Sequence, residues 1–371
     1  MLALAHGASG VVPRAVQSLL ANMTDPDIKA RKDHHLDLCA TDAVAFKERS
    51  TLLEDVVFVH DSLPDLALDD LDLSVELLGK TLKAPILIAS MTGGTDRAGQ
   101  INLALAAIAE RRGYGFGLGS QRAMQKRPET ADSYRVRDVA KTTLVIGNLG
   151  VVQARDQSTD MVRALVEDVG ADALFVHMNP GQELVQPGGD RDFRGGLETM
   201  ARLCRDLGKP VVAKETGCGI GKRVAERLRS AGITHCDVSG AGGTSWVGVE
   251  ALRAEGDQKD LGNLLWDWGV PTGVSVAWAS AAGLTPIATG GIKTGLDVAR
   301  AMSLGACAAG IARPALMAYM EGGEAGAEAF FERVERELRA VMLLTGSRRV
   351  SDLRKAHKVI GPTLERWLNA S

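Results

Sequence analysis

Eight short, almost unbroken apolar runs, each followed by a stretch able to form a helix, constrain this chain more than any other feature. They are Pro85–Ser90, Gly115–Gly119, Thr143–Asn148, Ala173–Asn179, Pro210–Glu215, His235–Ser239, Pro286–Thr289 and Ala306–Ala312. Continuous apolar character, without alternation, is the mark of parallel strands covered on both faces. The segment Leu296–Gly305 shows the helical spacing, with Val298, Ala301 and Met302 at i, i+3 and i+4. Eight successive β–α units predict an α/β chain closed into a (β/α)8, or TIM, barrel. An open doubly wound sheet also alternates strand and helix, but it rarely needs eight repeats. No Gly-rich dinucleotide turn opens the first unit, which also disfavours it.

At 371 residues the chain can hold one such barrel with extensions. The expected organisation is a flexible extension over 1–27 and a single domain over 28–371. The barrel core spans about 84–320, and helices run on to 371. An insertion over Val247–Thr272 follows the sixth strand, with Trp246, Trp266 and Trp268 around its edges, and Glu324–Leu344 reads as a long amphipathic helix. A net charge of −3 offers no basic field for nucleic acid or a membrane surface. No apolar run is long enough to span a bilayer, and residues 1–24 lack the pattern of a signal peptide. Five scattered cysteines, with no CxxC pair, fit a reducing cytoplasm better than a zinc site or a disulfide framework.

A barrel of this kind places its chemistry at the C-terminal strand ends. There the apolar runs give way to Ser90-Met91-Thr92-Gly93-Gly94, Gly119-Ser120-Gln121-Arg122, Asn148, and His177 with Asn179, Gln182 and Glu183. Lys214-Glu215, Ser239 to Thr244, Gly290 to Lys293, and Ala312-Arg313 complete the series. Glycines after strands seven and eight let backbone N–H groups approach a phosphate, although Gly-Gly also serves plain tight turns. Lys214 closes a buried strand and needs an anionic partner: Glu215, another carboxylate, or a bound cofactor. Glu183 has the oxygen chemistry for Mg²⁺ bridged to a diphosphate. The run Arg31-Lys32-Asp33-His34-His35 reads as a solvated face, unless the N-terminal segment folds over the barrel mouth, where it becomes an anion clamp.

Taken together, these segments resemble the type 2, FMN-dependent isopentenyl-diphosphate delta-isomerase family. The resemblance runs collinearly from about residue 28 to 350. It passes through Arg31 to His35, Met91 to Gly94, Gly119 to Arg122, Gly147-Asn148, His177 to Asn179 and Gln182-Glu183. It continues through Val212 to Glu215 with Gly217 and Gly219, Asp237 to Thr244, Trp268 to Thr272, and Gly290 to Ile292. It implies FMN, NADPH as reductant, Mg²⁺, an isoprenoid diphosphate substrate and a homotetramer or larger homo-oligomer. FMN would contact Met91, Thr92, Gly93, Ser120, Asn148, Lys214 and Thr244, with Gly291, Ile292, Lys293, Ala312 and Arg313 at its phosphate. Arg31, Lys32, Ser120, Gln121, Arg122, His177, Asn179 and Gln182 would hold substrate, and Glu183 the metal. Gln182, Lys214 and His177 would be the catalytic side chains. Many relatives carry an acidic residue where this chain has Gly188; Glu183 is untouched by that departure.

The implied reaction is a 1,3-allylic proton shift with no net redox change, with reduced flavin as acid–base catalyst and Lys214 stabilising its negative charge. Two alternatives stand beside it. An FMN-dependent α-hydroxy-acid oxidase shares the barrel, the phosphate seat and the lysine, but it needs a histidine base followed by Gly-Gly-Arg near strand six. Here that stretch reads Ser239-Gly240-Ala241-Gly242-Gly243-Thr244. A barrel that binds FMN or a diphosphate without catalysis is the other, and the joint presence of Gln182, Glu183 and Lys214 argues against it.

Overall fold

The computed structural model describes residues 28–370; the expected extension over 1–27 lies outside the described residues. Strands β1 (Val56–Phe58), β2 (Val75–Leu77) and β3 (Lys80–Leu82) precede the barrel. The barrel strands are β4 (Ile86–Ile88), β5 (Gly115–Gly117), β6 (Val145–Gly150), β7 (Ala173–Met178), β8 (Val211–Glu215), β9 (His235–Asp237), β10 (Thr285–Thr289) and β11 (Ala308–Ile311). They pair in parallel in chain order, and β11 closes on β4 through Ala309↔Ile86 and Ile311↔Ile88. Each coincides with one of the eight apolar runs. Most are a few residues shorter because the run continues past the hydrogen-bonded ladder into the rim, whereas β6 extends to Gly150.

The barrel interior is filled by Leu87, Ile146, Phe175, Val212, Ile287 and Ala308. Its N-terminal end is plugged by the β2–β3 hairpin, whose Leu77 and Leu82 join that same cluster. The hairpin turns at Leu78 (φ 51°) and Gly79 (φ 83°), two positive-φ positions as a tight two-residue turn requires. β12 (Lys358–Ile360) pairs antiparallel with β1, tying the end of the chain to the segment before the barrel.

The insertion after β9 forms the helices Trp246–Arg253 and Gly256–Leu264, with Trp266 buried beneath them against Val185, Val247 and Ala251. Trp268 remains 64% exposed. The helix expected over Glu324–Leu344 is the second part of a longer element, Arg313–Leu344, kinked at Gly323 (φ 62°, ψ −154°). It packs against helices Asp96–Arg112 and Gly295–Ser303, with Tyr114 and Phe331 rings 5.5 Å apart and Arg111 paired to Glu324 and Glu328. The helix Ile28–Cys39 lies across the C-terminal mouth, so the basic run at its start faces the site and not open solvent. Among the described residues all five cysteines are free, and no helix is long and apolar enough to cross a membrane.

Candidate active site

The strand ends and the helix Ile28–Cys39 enclose a cavity lined by all but two of the residues expected there. Gly93 and Gln121 are the exceptions. Gly93 lies behind the wall, where an added Cβ would meet the Tyr134 ring at 2.1 Å. Gln121 is 1% exposed: its Oε1 accepts from the Asn148 N–H (2.9 Å) and its Nε2 donates to the Leu165 carbonyl (2.9 Å). A buried amide with both ends held by backbone braces the wall from outside the cavity lining.

At one end of the cavity, the loops after β9 and β10 meet backbone to backbone. A Cβ on Gly243 would stand 2.3 Å from the Gly291 nitrogen, and one on Gly291 (φ 75°) would stand 2.4 Å from Thr51 Cγ2. Such approach leaves peptide N–H groups free to face an anion, and the helix from Arg313 starts beside them. Thr289 Oγ1 and Ser90 Oγ, buried on the lining, have no partner among the described residues. The cradle and these unpaired hydroxyls fit a phosphorylated polar cofactor. Arg313 itself binds back to the Thr41 carbonyl and the Asp42 carboxylate (both 2.9 Å), so its guanidinium pins the loop over the cradle. Gly243→Ala is expected to weaken FMN binding at least tenfold in a fluorescence titration while leaving the barrel's circular dichroism unchanged, because the new methyl must displace backbone.

On the cavity floor, Lys214 pairs with Asp237 (Nζ–Oδ2 2.8 Å), so its carboxylate partner is neither Glu215 nor a solvent-side acid. Glu215 turns instead into the loop after β8, where one oxygen accepts from the N–H groups of Thr216, Gly217, Cys218 and Gly219. His177, next to Lys214 in the ladder, meets Asn148 Oδ1 through Nδ1 at 2.8 Å. Burial, then the Lys214 and Arg122 charges, pull its pKa down to about 4. The ring is neutral at physiological pH, and with Nδ1 donating to Asn148 its Nε2 offers a lone pair.

Across the mouth stand three cations from two elements: Arg31 and Lys32 on the N-terminal helix, and Arg122 after β5. The Lys32 ammonium has three neutral partners, the carbonyls of Gly93 and Ser120 and the Tyr134 hydroxyl (2.6 Å), which in turn donates to the Ser120 carbonyl. Burial, reinforced by Arg31 and Arg127, brings its pKa down to about 7. Lys32 therefore loses charge as pH rises through about 7, and affinity for a diphosphate should fall by up to about tenfold per pH unit above that point. Inhibition by inorganic diphosphate measured from pH 6 to 9 checks this; Lys32→Met should remove that component of the slope.

Glu183 is 6% exposed; its Oε1 accepts from Asn179 Nδ2 (3.0 Å) and its Oε2 from the Asp190 N–H (2.7 Å). Gly188, at φ 67° with open space around it, turns the loop that delivers Asp190, so the glycine there leaves Glu183 anchored. Among the described residues no group of three His, Cys, Asp or Glu side chains could hold a metal. A single buried carboxylate fits Mg²⁺ that also binds substrate phosphates and water.

The residue that joins these parts is Glu250, on the insertion helix and 0% exposed. It accepts from His35 Nε2 (2.9 Å), Gln182 Nε2 (3.2 Å) and Arg253 Nη1 (2.6 Å). The Gln186 amide, oriented to satisfy both ends, links Glu250 to Arg31. Burial pushes the Glu250 pKa up, but His35, Arg253 and Gln182 outweigh it and hold it at about 2. Trp246, one turn earlier, stacks edge-on against His35 (5.3 Å) and lines the cavity. Nothing in local composition marks Glu250; the i, i+4 spacing of Trp246 and Glu250 is the one sequence signal that they share a helix face.

A family model described as FMN-dependent dehydrogenase matches residues 27–255 and 196–359. The isopentenyl-diphosphate delta-isomerase of Methanosarcina barkeri is 46% identical over 341 residues, covering 90% of this chain and 93% of its own. That of Thermococcus onnurineus is 45% identical over 348 residues, covering 91% and 93%. Among solved structures, a mandelate oxidase variant with an FMN monooxide adduct superposes with a TM-score of 0.60 at 22% identity, covering 94% of this chain and 97% of its own. At that identity the match speaks for the barrel alone.

Proposed function

The chain belongs to the FMN-dependent dehydrogenase family and, within it, to the isopentenyl-diphosphate delta-isomerases, and we infer that it interconverts isopentenyl diphosphate and dimethylallyl diphosphate. The observation that carries this reading is the pairing, in one cavity, of a glycine cradle with a separate cationic mouth. The cradle suits the phosphate of FMN, and Arg31, Lys32 and Arg122 suit a second anion, the diphosphate of the substrate. The absence of a histidine between Ser239 and Thr244 supports isomerisation over hydroxy-acid oxidation.

When bound and reduced, FMN supplies the acid–base chemistry of the allylic shift. The protein's side chains do the rest. Arg31, Lys32 and Arg122 neutralise the diphosphate, and Glu183 would hold Mg²⁺, which would add positive charge for it. Gln182, fixed between Asn179 and Glu250, orients the alkene end, and as an amide it does not ionise. His177, held neutral, positions a donor group through Nε2. Lys214 places positive charge at the floor, where negative charge on a reduced ring is stabilised. NADPH as reductant and a homotetramer or larger assembly, which rest on the family resemblance, and a cytoplasmic setting, which rests on the scattered free cysteines, complete the proposal.

The test is an anaerobic assay of the FMN-loaded, reduced protein with Mg²⁺ and isopentenyl diphosphate, following dimethylallyl diphosphate. Absence of product under those conditions overturns the reading, and flavin bleaching by lactate would favour the oxidase.

A further inference from the structure

Asp237 sits inside the barrel at the level of the cavity floor, directly opposite Lys214 in the β8–β9 ladder. Its side chain is 0% exposed, and Ile287 is its neighbour on β10. Among the described residues its two oxygens have one partner each: Oδ2 takes the Lys214 ammonium at 2.8 Å, and Oδ1 takes the Ser239 N–H at 3.1 Å. Ser239 reaches that position with φ 36°, in the left-handed region that a residue with a Cβ seldom enters. Backbone strain at a cavity wall persists where the surroundings enforce it, and here it delivers a donor to a buried carboxylate.

Lys214 lines the cavity and Asp237 does not. The Lys214 ammonium also stands 5.6 Å from the centre of the Phe175 ring, in the barrel's apolar layer. The ionisable groups facing it are Asp237 from β9 and His177 from β7, while Glu215 on its own strand is turned into the loop. His177 is neutral, so Asp237 is the anion that Lys214 has. A buried ammonium without a counter-ion sheds its proton readily and loses its aim.

We propose that Asp237 is a positioning residue that keeps Lys214 protonated and pointed at the flavin. Its place on the strand, its two contacts and the strained Ser239 backbone serve that one purpose. The proposal rests on FMN occupying the cavity, as inferred above, but not on which substrate is turned over.

The experiment compares FMN-loaded wild type with Asp237→Asn and Asp237→Glu, measuring the flavin midpoint potential and kcat from pH 6 to 10. Asp237→Asn should add an inflection to the potential within that range. Its kcat should fall about tenfold per pH unit above the inflection, with KM for isopentenyl diphosphate unchanged. Asp237→Glu keeps the charge and should show no new inflection, with a lower kcat at every pH. Adding Lys214→Arg to Asp237→Asn should abolish the inflection, since a guanidinium stays charged. The proposal is overturned if Asp237→Asn keeps the wild-type pH dependence and loses only thermal stability. If Asp237→Asn fails to load FMN, Asp237→Glu decides: wild-type pH dependence supports the proposal, and failure to load FMN overturns it by leaving the carboxylate a packing role only. A wild-type protein that binds FMN but makes no dimethylallyl diphosphate defeats the isomerase reading separately, and the potentials still decide the role of Asp237.

Discussion

Glu250→Gln is expected to lower kcat/KM for isopentenyl diphosphate about a hundredfold or more, although the side chain does not face the cavity. One carboxylate carries bonds from His35 on the N-terminal helix, from Gln182 after β7 and from Arg253 on its own helix. Breaking a buried ion pair costs about 3 kcal/mol or more, and every 1.4 kcal/mol is a factor of about ten. The isosteric amide keeps the volume but turns an N–H toward donors, so Gln182 and the helix bearing Arg31 and Lys32 lose their common anchor. Steady-state kinetics of the FMN-loaded variant check this, and a change of less than twofold would sink the idea. The pH dependence of stability gives a second reading. The Glu250 pKa is lowered from 4.5 to about 2 in the folded protein, so its contribution is complete above about 4.5 and drains away as pH falls toward 2. Acid unfolding of Glu250→Gln should lack that component.

The barrel was legible because its strands are buried on both faces, which writes them as continuous apolar runs whatever surrounds them. The strand-end residues were legible for the converse reason: Lys214 and His177 interrupt apolar runs at the level where a barrel opens. What local pattern does not encode is which distant groups meet. Glu250 lies about 70 residues from Gln182 and over 200 from His35, and only the docking of the N-terminal helix on the insertion brings them together. The same holds for Lys214, whose partner across the ladder is Asp237 and not its neighbour Glu215. Adjacent residues on a strand point to opposite faces, so Glu215 was poorly placed for that bond from the start. Gln121 and Arg313 show the opposite limit. Both occupy the expected loops, yet the Gln121 amide is bound to backbone behind the cavity wall and Arg313 Nη1 to Thr41 and Asp42, which residue type alone does not reveal.

Lys214→Met should abolish turnover to within about a thousandth of wild type and also destabilise the fold, and the two effects should come apart in a double variant. Removing the ammonium leaves Asp237 as a charged group in the apolar barrel interior, with the Ser239 N–H as its remaining partner among the described residues. Such an orphaned ion costs about 3–5 kcal/mol, which thermal or denaturant unfolding will register. Methionine fills the lysine's path with an apolar chain of similar length, so the loss is electrostatic and creates little cavity. Adding Asp237→Asn removes the stranded charge, and most of the stability should return, since replacing both members of a buried pair is often close to neutral. Activity should not return with it, because on the role proposed for Lys214 the reduced flavin still lacks its positive charge. Recovery of turnover in the double variant would mean that Lys214 serves the fold and that another group supports the chemistry. Recovery of stability alone assigns the ion pair its two functions: Asp237 holds the lysine, and the lysine acts on the site.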